Sequence, residues 1–195
     1  MLLKTTNGYN FSEVASAFQK SIRRGIEAEA LYWGTELDQS GYGEYVWKRM
    51  RIIVSEDIGL AEPMLPAVIW SLYQMWVAQR QKKDEKHHPE RLFLIHGILL
   101  LVRAKKSCIV DHATVIYYSG NLPRLEIPDY ALDKHTMRGR RMKRGFEHFF
   151  TAGMKLENSA DLADPYWERA KQILVGAATS SELFNTSDYP EEDYP

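Results

Sequence analysis

Cysteine is almost missing from this chain: Cys108 is the single one among 195 residues. One thiol can neither close a disulfide within the chain nor build a cysteine-based zinc site, so a reducing compartment is expected. Cys108 stands in an apolar stretch and reads as a buried thiol rather than a nucleophile. Long hydrophobic runs are missing too. The longest, over 92–102, holds His96 and Gly97 and falls well short of the ~20 residues a membrane span needs. The first ten residues carry no apolar run of signal-peptide length, so a cytoplasmic protein without a leader is expected. No GxxxxGKS/T phosphate loop, GxGxxG, HExxH or GxSxG occurs. His87 and His88 are adjacent in a polar loop but bring no third ligand. No catalytic residue, metal or cofactor is expected.

What is present suits a globular core. Hydrophobic residues make up 45% and aromatic residues 12%, enough to exclude a disordered chain. The pattern predicts an all-α, multi-helix bundle: one helical domain over 1–180 and an acidic, disordered tail over 181–195. Helices are expected over 11–24, 27–39, 44–56, 64–80, 90–105 and 165–176. Asn10 and Gly25 punctuate the first as N-cap and C-cap, with Glu13 at capping-box spacing. On the third, Val46, Trp47, Met50, Ile53 and Val54 share one arc of about 120° at the helical repeat. The fourth is apolar nearly all round, which predicts burial at a bundle centre or in a subunit interface. Pro63 is expected to start it, and Asp164 to cap the last. The β-branched stretch 108–118 reads as helical or irregular, and no strand is expected.

Charge is unevenly placed. The net charge is −1, yet residues 134–155 hold seven Lys/Arg against one acid, and 156–195 hold two against nine acids. Read as one helix over 134–150, the basic segment would set His135, Met142, Phe146 and Phe149 on an apolar strip. Arg138, Arg140, Arg141, Lys143 and Arg144 are the candidate nucleic-acid contacts. They would meet phosphate rather than base, since no base-reading motif accompanies them. The alternative is a salt-bridge network with the acidic tail or another subunit.

The segment 18–63 carries a second pattern: Lys20-Ser21-Ile22-Arg23, an Ala-rich helix ending Tyr32-Trp33, an acidic glycine-containing link over 38–43, paired basics Lys48-Arg49, then Ser55-Glu56-Asp57-Ile58-Gly59 running to Pro63. It resembles the start of the C-terminal helical region of the replication-associated recombination protein A family, also called MgsA. These are clamp-loader-like AAA+ ATPases related to the eukaryotic Werner-helicase-interacting protein. The resemblance implies a helical collar that forms a homotetramer. It also implies an AAA+ ATPase or single-stranded-DNA-binding protein as partner, and a place in DNA replication or repair. The Walker motifs of that family's ATPase core do not occur in these residues, so ATP hydrolysis is not implied. Ser55, Glu56, Asp57 and Gly59 read as a structural corner between two helices, or as an interaction surface. Glu56 and Asp57 oppose the dipole at a helix C-terminus and call for a cation, from Lys48, Arg49, Arg51 or Arg23, or for a cap on the next helix.

The function expected is thus a non-catalytic oligomerisation and interaction module of replication or repair, with the basic segment as its candidate contact to DNA backbone. Two other readings stay open. One is a small enzyme acting on a phosphorylated or nucleotide substrate through Asp133, His135, Arg138 and Arg141. The other is a protein-only structural adaptor.

Overall fold

In the computed structural model, residues 3–81 and 87–179 are described; the acidic tail expected over 181–195 lies outside them. The chain divides into two compact units, residues 1–122 and 123–195.

Unit 1 holds six helices: α1 (Phe11–Arg24), α2 (Glu27–Leu37), α3 (Gly43–Ile53), α4 (Leu65–Arg80), α5 (Glu90–Arg103) and α6 (Ile109–Ser119). The all-α expectation holds, and the isolated bridge between Lys4 and Asn10 is the one trace of β pairing among the described residues. Asn10 caps α1 by accepting from the Ser12 amide at 2.9 Å, and Gly25 ends it at φ 71°. Asn7 ties the N-terminal turn to α2 by donating to the buried Glu36 from its backbone (3.1 Å) and side-chain (2.5 Å) nitrogens.

The core is one cluster. Phe18 and Ile22 of α1 meet Ala30 and Leu37 of α2, Trp47 and Met50 of α3, Ile69 and Trp76 of α4, and Ile98 and Leu101 of α5. The face expected on α3 is the buried one: Val46, Trp47, Met50, Ile53 and Val54 are all within 2% of full burial. Two helices end sooner than their periodicity suggests. A kink over Asp38–Tyr42, with Gly41 at φ 85°, follows α2, and a wide π-type turn over Val54–Ile58 follows α3. Pro66, rather than Pro63, occupies the first turn of α4. The stretch beginning at Cys108 resolves as helix α6.

Two helices bury little. On α4, Ile69, Leu72 and Trp76 face the core, but Val68, Trp70 and Met75 are exposed by 40%, 50% and 42%. No residue of α6 is buried, although Ile109, Val115, Ile116, Tyr117 and Tyr118 lie along it. A helix of eleven residues has little stability without packing.

Unit 2 is built of shorter pieces. A 3₁₀ turn over Asp129–Ala131 precedes α7 (Met137–Arg141), α8 (Phe146–His148) runs into a π turn over Phe149–Gly153, and α9 spans Trp167–Thr179. The basic segment therefore does not form one helix over 134–150. It breaks at 142–145, where Lys143 takes φ 54°. Asp164 Oδ1 accepts from the Tyr166 amide at 2.9 Å just before α9.

Candidate functional site

The corner over 55–59 is made by the π turn at the end of α3. Widening the last turn moves Glu56 and Asp57 off the α3 axis and against α1. Gln19 and Arg23 stand one turn apart on α1, so they share a face and meet both acids. Arg23 Nε donates to Asp57 Oδ1 at 2.6 Å, and its second nitrogen donates to Glu56 Oε1 at 2.9 Å. Gln19 Nε2 donates to the same Glu56 oxygen at 2.9 Å and to Asp57 Oδ2 at 3.3 Å. Arg49 of α3 donates in turn to the Gln19 carbonyl oxygen.

Asp57 is wholly buried, whereas the Arg23 side chain is 45% exposed. A buried carboxylate without a partner is costly, so the guanidinium is what permits Asp57 at this position. The hydrogen bond to Asp57 raises the Arg23 pKa further above its ordinary value. Of the four cations expected to answer these acids, Arg23 does so. Arg51 instead lies over the Tyr73 ring at 4.4 Å and the Trp70 ring at 5.7 Å. The acids do not cap α4: the Leu65 amide donates to Glu62 O.

The backbone of the corner is equally committed. Gly59 sits at φ 48°, ψ −121°, and a Cβ there would lie 2.9 Å from Val110 Cγ2 at the start of α6. Neither the conformation nor the space accepts another residue. Asp57 O accepts from the Ser107 amide at 2.9 Å. Lys106 Nζ donates to the carbonyls of Leu101, Val102 and Ala104 at the end of α5, and burial lowers its pKa. Ser55 is exposed beside this network.

In unit 2 the basic segment separates into two kinds of cation. Arg138, Arg140, Arg141 and Lys143 are exposed. Arg144 turns inward: one nitrogen donates to Asp129 O (2.9 Å) and Leu132 O (3.2 Å) and contacts His148 Nε2 (2.9 Å), while the other pairs with the Asp129 carboxylate. His148 Nε2 also lies 3.1 Å from Asp129 Oδ2. Arg144 and then His148 pull the Asp129 pKa below its ordinary value. Thr136 caps α7 by accepting from the Gly139 amide at 3.0 Å, and Gly139 presses against Asp133 O where no Cβ fits.

Asp133 Oδ1 accepts from the His135 backbone amide at 2.9 Å, which makes a turn, and the His135 ring packs edge-on to Phe149 at 5.2 Å. Lys134 lies 3.2 Å over the Phe146 ring. His88 pairs with Glu90 at 3.0 Å. No group of three or more metal-ligating side chains occurs among the described residues, and no helix among them is long and apolar enough to cross a membrane.

No family model matches the chain. It is 29% identical over 142 residues to replication-associated recombination protein A of Bacillus subtilis, covering 70% of this chain and 31% of that protein. The protein of the same name from Haemophilus influenzae is 28% identical over 129 residues, 66% of this chain and 27% of its own length. The chain thus spans less than a third of the curated relatives it matches. The likeness first read from the segment 18–63 is borne out over about two-thirds of the chain: it is similar to replication-associated recombination protein A.

Proposed function

We propose that this chain is a non-catalytic, self-associating module of replication-associated recombination. The observation that carries this reading is the set of exposed apolar side chains on α4 and α6. Val68, Trp70 and Met75 face away from the core on α4, and α6 displays five large apolar side chains while burying none. Surfaces of this kind mark protein interfaces. The occupant that fits is a second copy of the chain, because the same two helices then bury each other's exposed apolar side chains. A homotetramer is the assembly that the likeness to replication-associated recombination protein A supports.

The corner at Ser55, Glu56, Asp57 and Gly59 serves in this reading as the rigid joint that holds α4 and α6 to α1. The exposed Arg138, Arg140, Arg141 and Lys143 serve as a backbone-directed DNA contact, with DNA, an AAA+ ATPase or single-stranded-DNA-binding protein as partners of the assembly. The test is the light-scattering mass of the purified protein. A tetramer gives about 90 kDa, four times the chain mass of 22.6 kDa. A monomer at micromolar concentration overturns the reading.

A further inference from the structure

A cleft of about 330 Å³ opens between α1 and α3, within the size range of small-ligand sites. Its walls are Phe11, Ser12, Ser16 and Lys20 of α1 with Tyr45 and Arg49 of α3, and its floor reaches Gln19, Arg23 and Glu56. The charge inside is unbalanced. Glu56 is already shared by Arg23 and Gln19, while Arg49 holds one neutral partner, the Gln19 carbonyl. Lys20 is exposed at the rim and makes no ion pair among the described residues. Two cations thus face the cleft without an acid.

An aromatic ledge lines the same cleft. Phe11 and Tyr45 meet edge to face, 4.8 Å between centroids at 65°, and Phe11 also packs on Tyr42 at 4.7 Å. Both are half-buried, so the ledge is held rigid yet reaches the opening. Ser12, Ser16 and Lys20 on the cleft wall are exposed, so the cleft opens to solvent. Cations beside an aromatic platform, in a trough the size of one residue, are the features by which proteins hold single strands.

We propose that the α1–α3 cleft binds a single-stranded oligonucleotide, taking one phosphate on Lys20 and Arg49 and stacking one base on the Phe11–Tyr45 ledge. A duplex cannot enter a space of this volume, since its bases are already stacked and paired. The site lies in unit 1 and does not depend on the basic segment of unit 2.

Fluorescence anisotropy of labelled oligo(dT) with the full chain at low salt tests it, with unlabelled blunt duplex and free thymidine monophosphate as competitors. Lys20→Glu should weaken oligo(dT) binding about fivefold or more while leaving the melting temperature and any duplex binding unchanged. Tyr45→Ala should weaken the single strand and spare the duplex. Thymidine monophosphate competing at millimolar levels would place the same chemistry in a free nucleotide and support the site. Unchanged oligo(dT) binding by Lys20→Glu, or equal loss of duplex, overturns the proposal. So does a wild-type chain that ignores oligo(dT) but binds an acidic aromatic peptide in a Lys20-dependent way, which would assign the cleft to a protein partner.

Discussion

Arg23 and Asp57 stand 34 residues apart in sequence and 2.6 Å apart in space, with the acid wholly buried and the guanidinium half in water. Removing the cation strands the acid, so Arg23→Ala should cost unit 1 about 2–4 kcal/mol, the exposed side of the pair moderating the loss. Arg23→Met combined with Asp57→Leu should cost less than the two changes added together. Urea unfolding followed by tryptophan fluorescence reads this, because Trp33, Trp47, Trp70 and Trp76 all lie in unit 1. A midpoint unmoved by Arg23→Ala would remove the pair from the account of the corner.

Gly59 supports the same corner by a different means. Alanine there must take a backbone conformation that L residues avoid and must press on Val110. Gly59→Ala should cost about 1–3 kcal/mol in the same unfolding measurement. Gly8→Ala is the control: it carries the strained φ of 82° but meets nothing within 4 Å, and its cost should be smaller.

The core was legible in the sequence because it is periodic. The buried arc of α3 follows from Val46, Trp47, Met50, Ile53 and Val54 at the helical repeat. The π turn over Val54–Ile58 was not legible, since inserting one extra residue per turn leaves local composition unchanged and is decided by where Asp57 must go. The acids at the corner did announce that they needed a cation, but Lys48, Arg49 and Arg51 lie much nearer in sequence than Arg23. Only the packing of α1 selects Arg23. In unit 2, Gly139 and Gly145 were visible signs against one continuous helix, outweighed by a charged run that reads as helix. Arg144 looked like its neighbours, because its partner Asp129, 15 residues away, is brought to it only by the fold. The α1–α3 cleft arises from how two helices cross, which no single stretch encodes.

The exposed apolar residues of α4 make their own prediction. Trp70→Glu with Met75→Glu places charge where the proposed interface buries apolar surface, and should lower the light-scattering mass toward that of one chain. Both residues point away from the core, so far-UV circular dichroism should not change. A variant that keeps the wild-type mass would move the interface off α4.

Asp129 links unit 2 to pH. Its folded pKa lies below the ordinary value of 3.8, because Arg144 and then His148 hydrogen-bond the ionised form. The folded state therefore holds its proton less tightly than the unfolded chain. The stabilisation is complete above the ordinary carboxylate range and is lost as pH falls through the depressed folded value. Carboxylate ¹³C shifts should show Asp129 titrating below the other exposed aspartates. Asp129→Asn should flatten the acid side of the unit 2 melting profile. A midpoint at or above 3.8 would mean that the Arg144 contact does not persist in solution.

The two kinds of cation in the basic segment should separate on DNA. Arg138, Arg140, Arg141 and Lys143 face solvent, so four phosphates at most are met, and the log–log salt slope on duplex should be about −3.6. Charge reversal at Arg138, Arg140 and Arg141 should abolish duplex retention and flatten that slope, with the melting temperature unchanged. Arg144→Gln should do the reverse. It removes the bonds to Asp129, Leu132 and His148, so it should lower the melting temperature while the four exposed cations keep their charge. Filter binding across a salt series, paired with calorimetry, distinguishes the two. Duplex affinity that falls with Arg144→Gln but survives the triple reversal would show that the exposed row is only solvated, and that the inward arginine is the one DNA depends on.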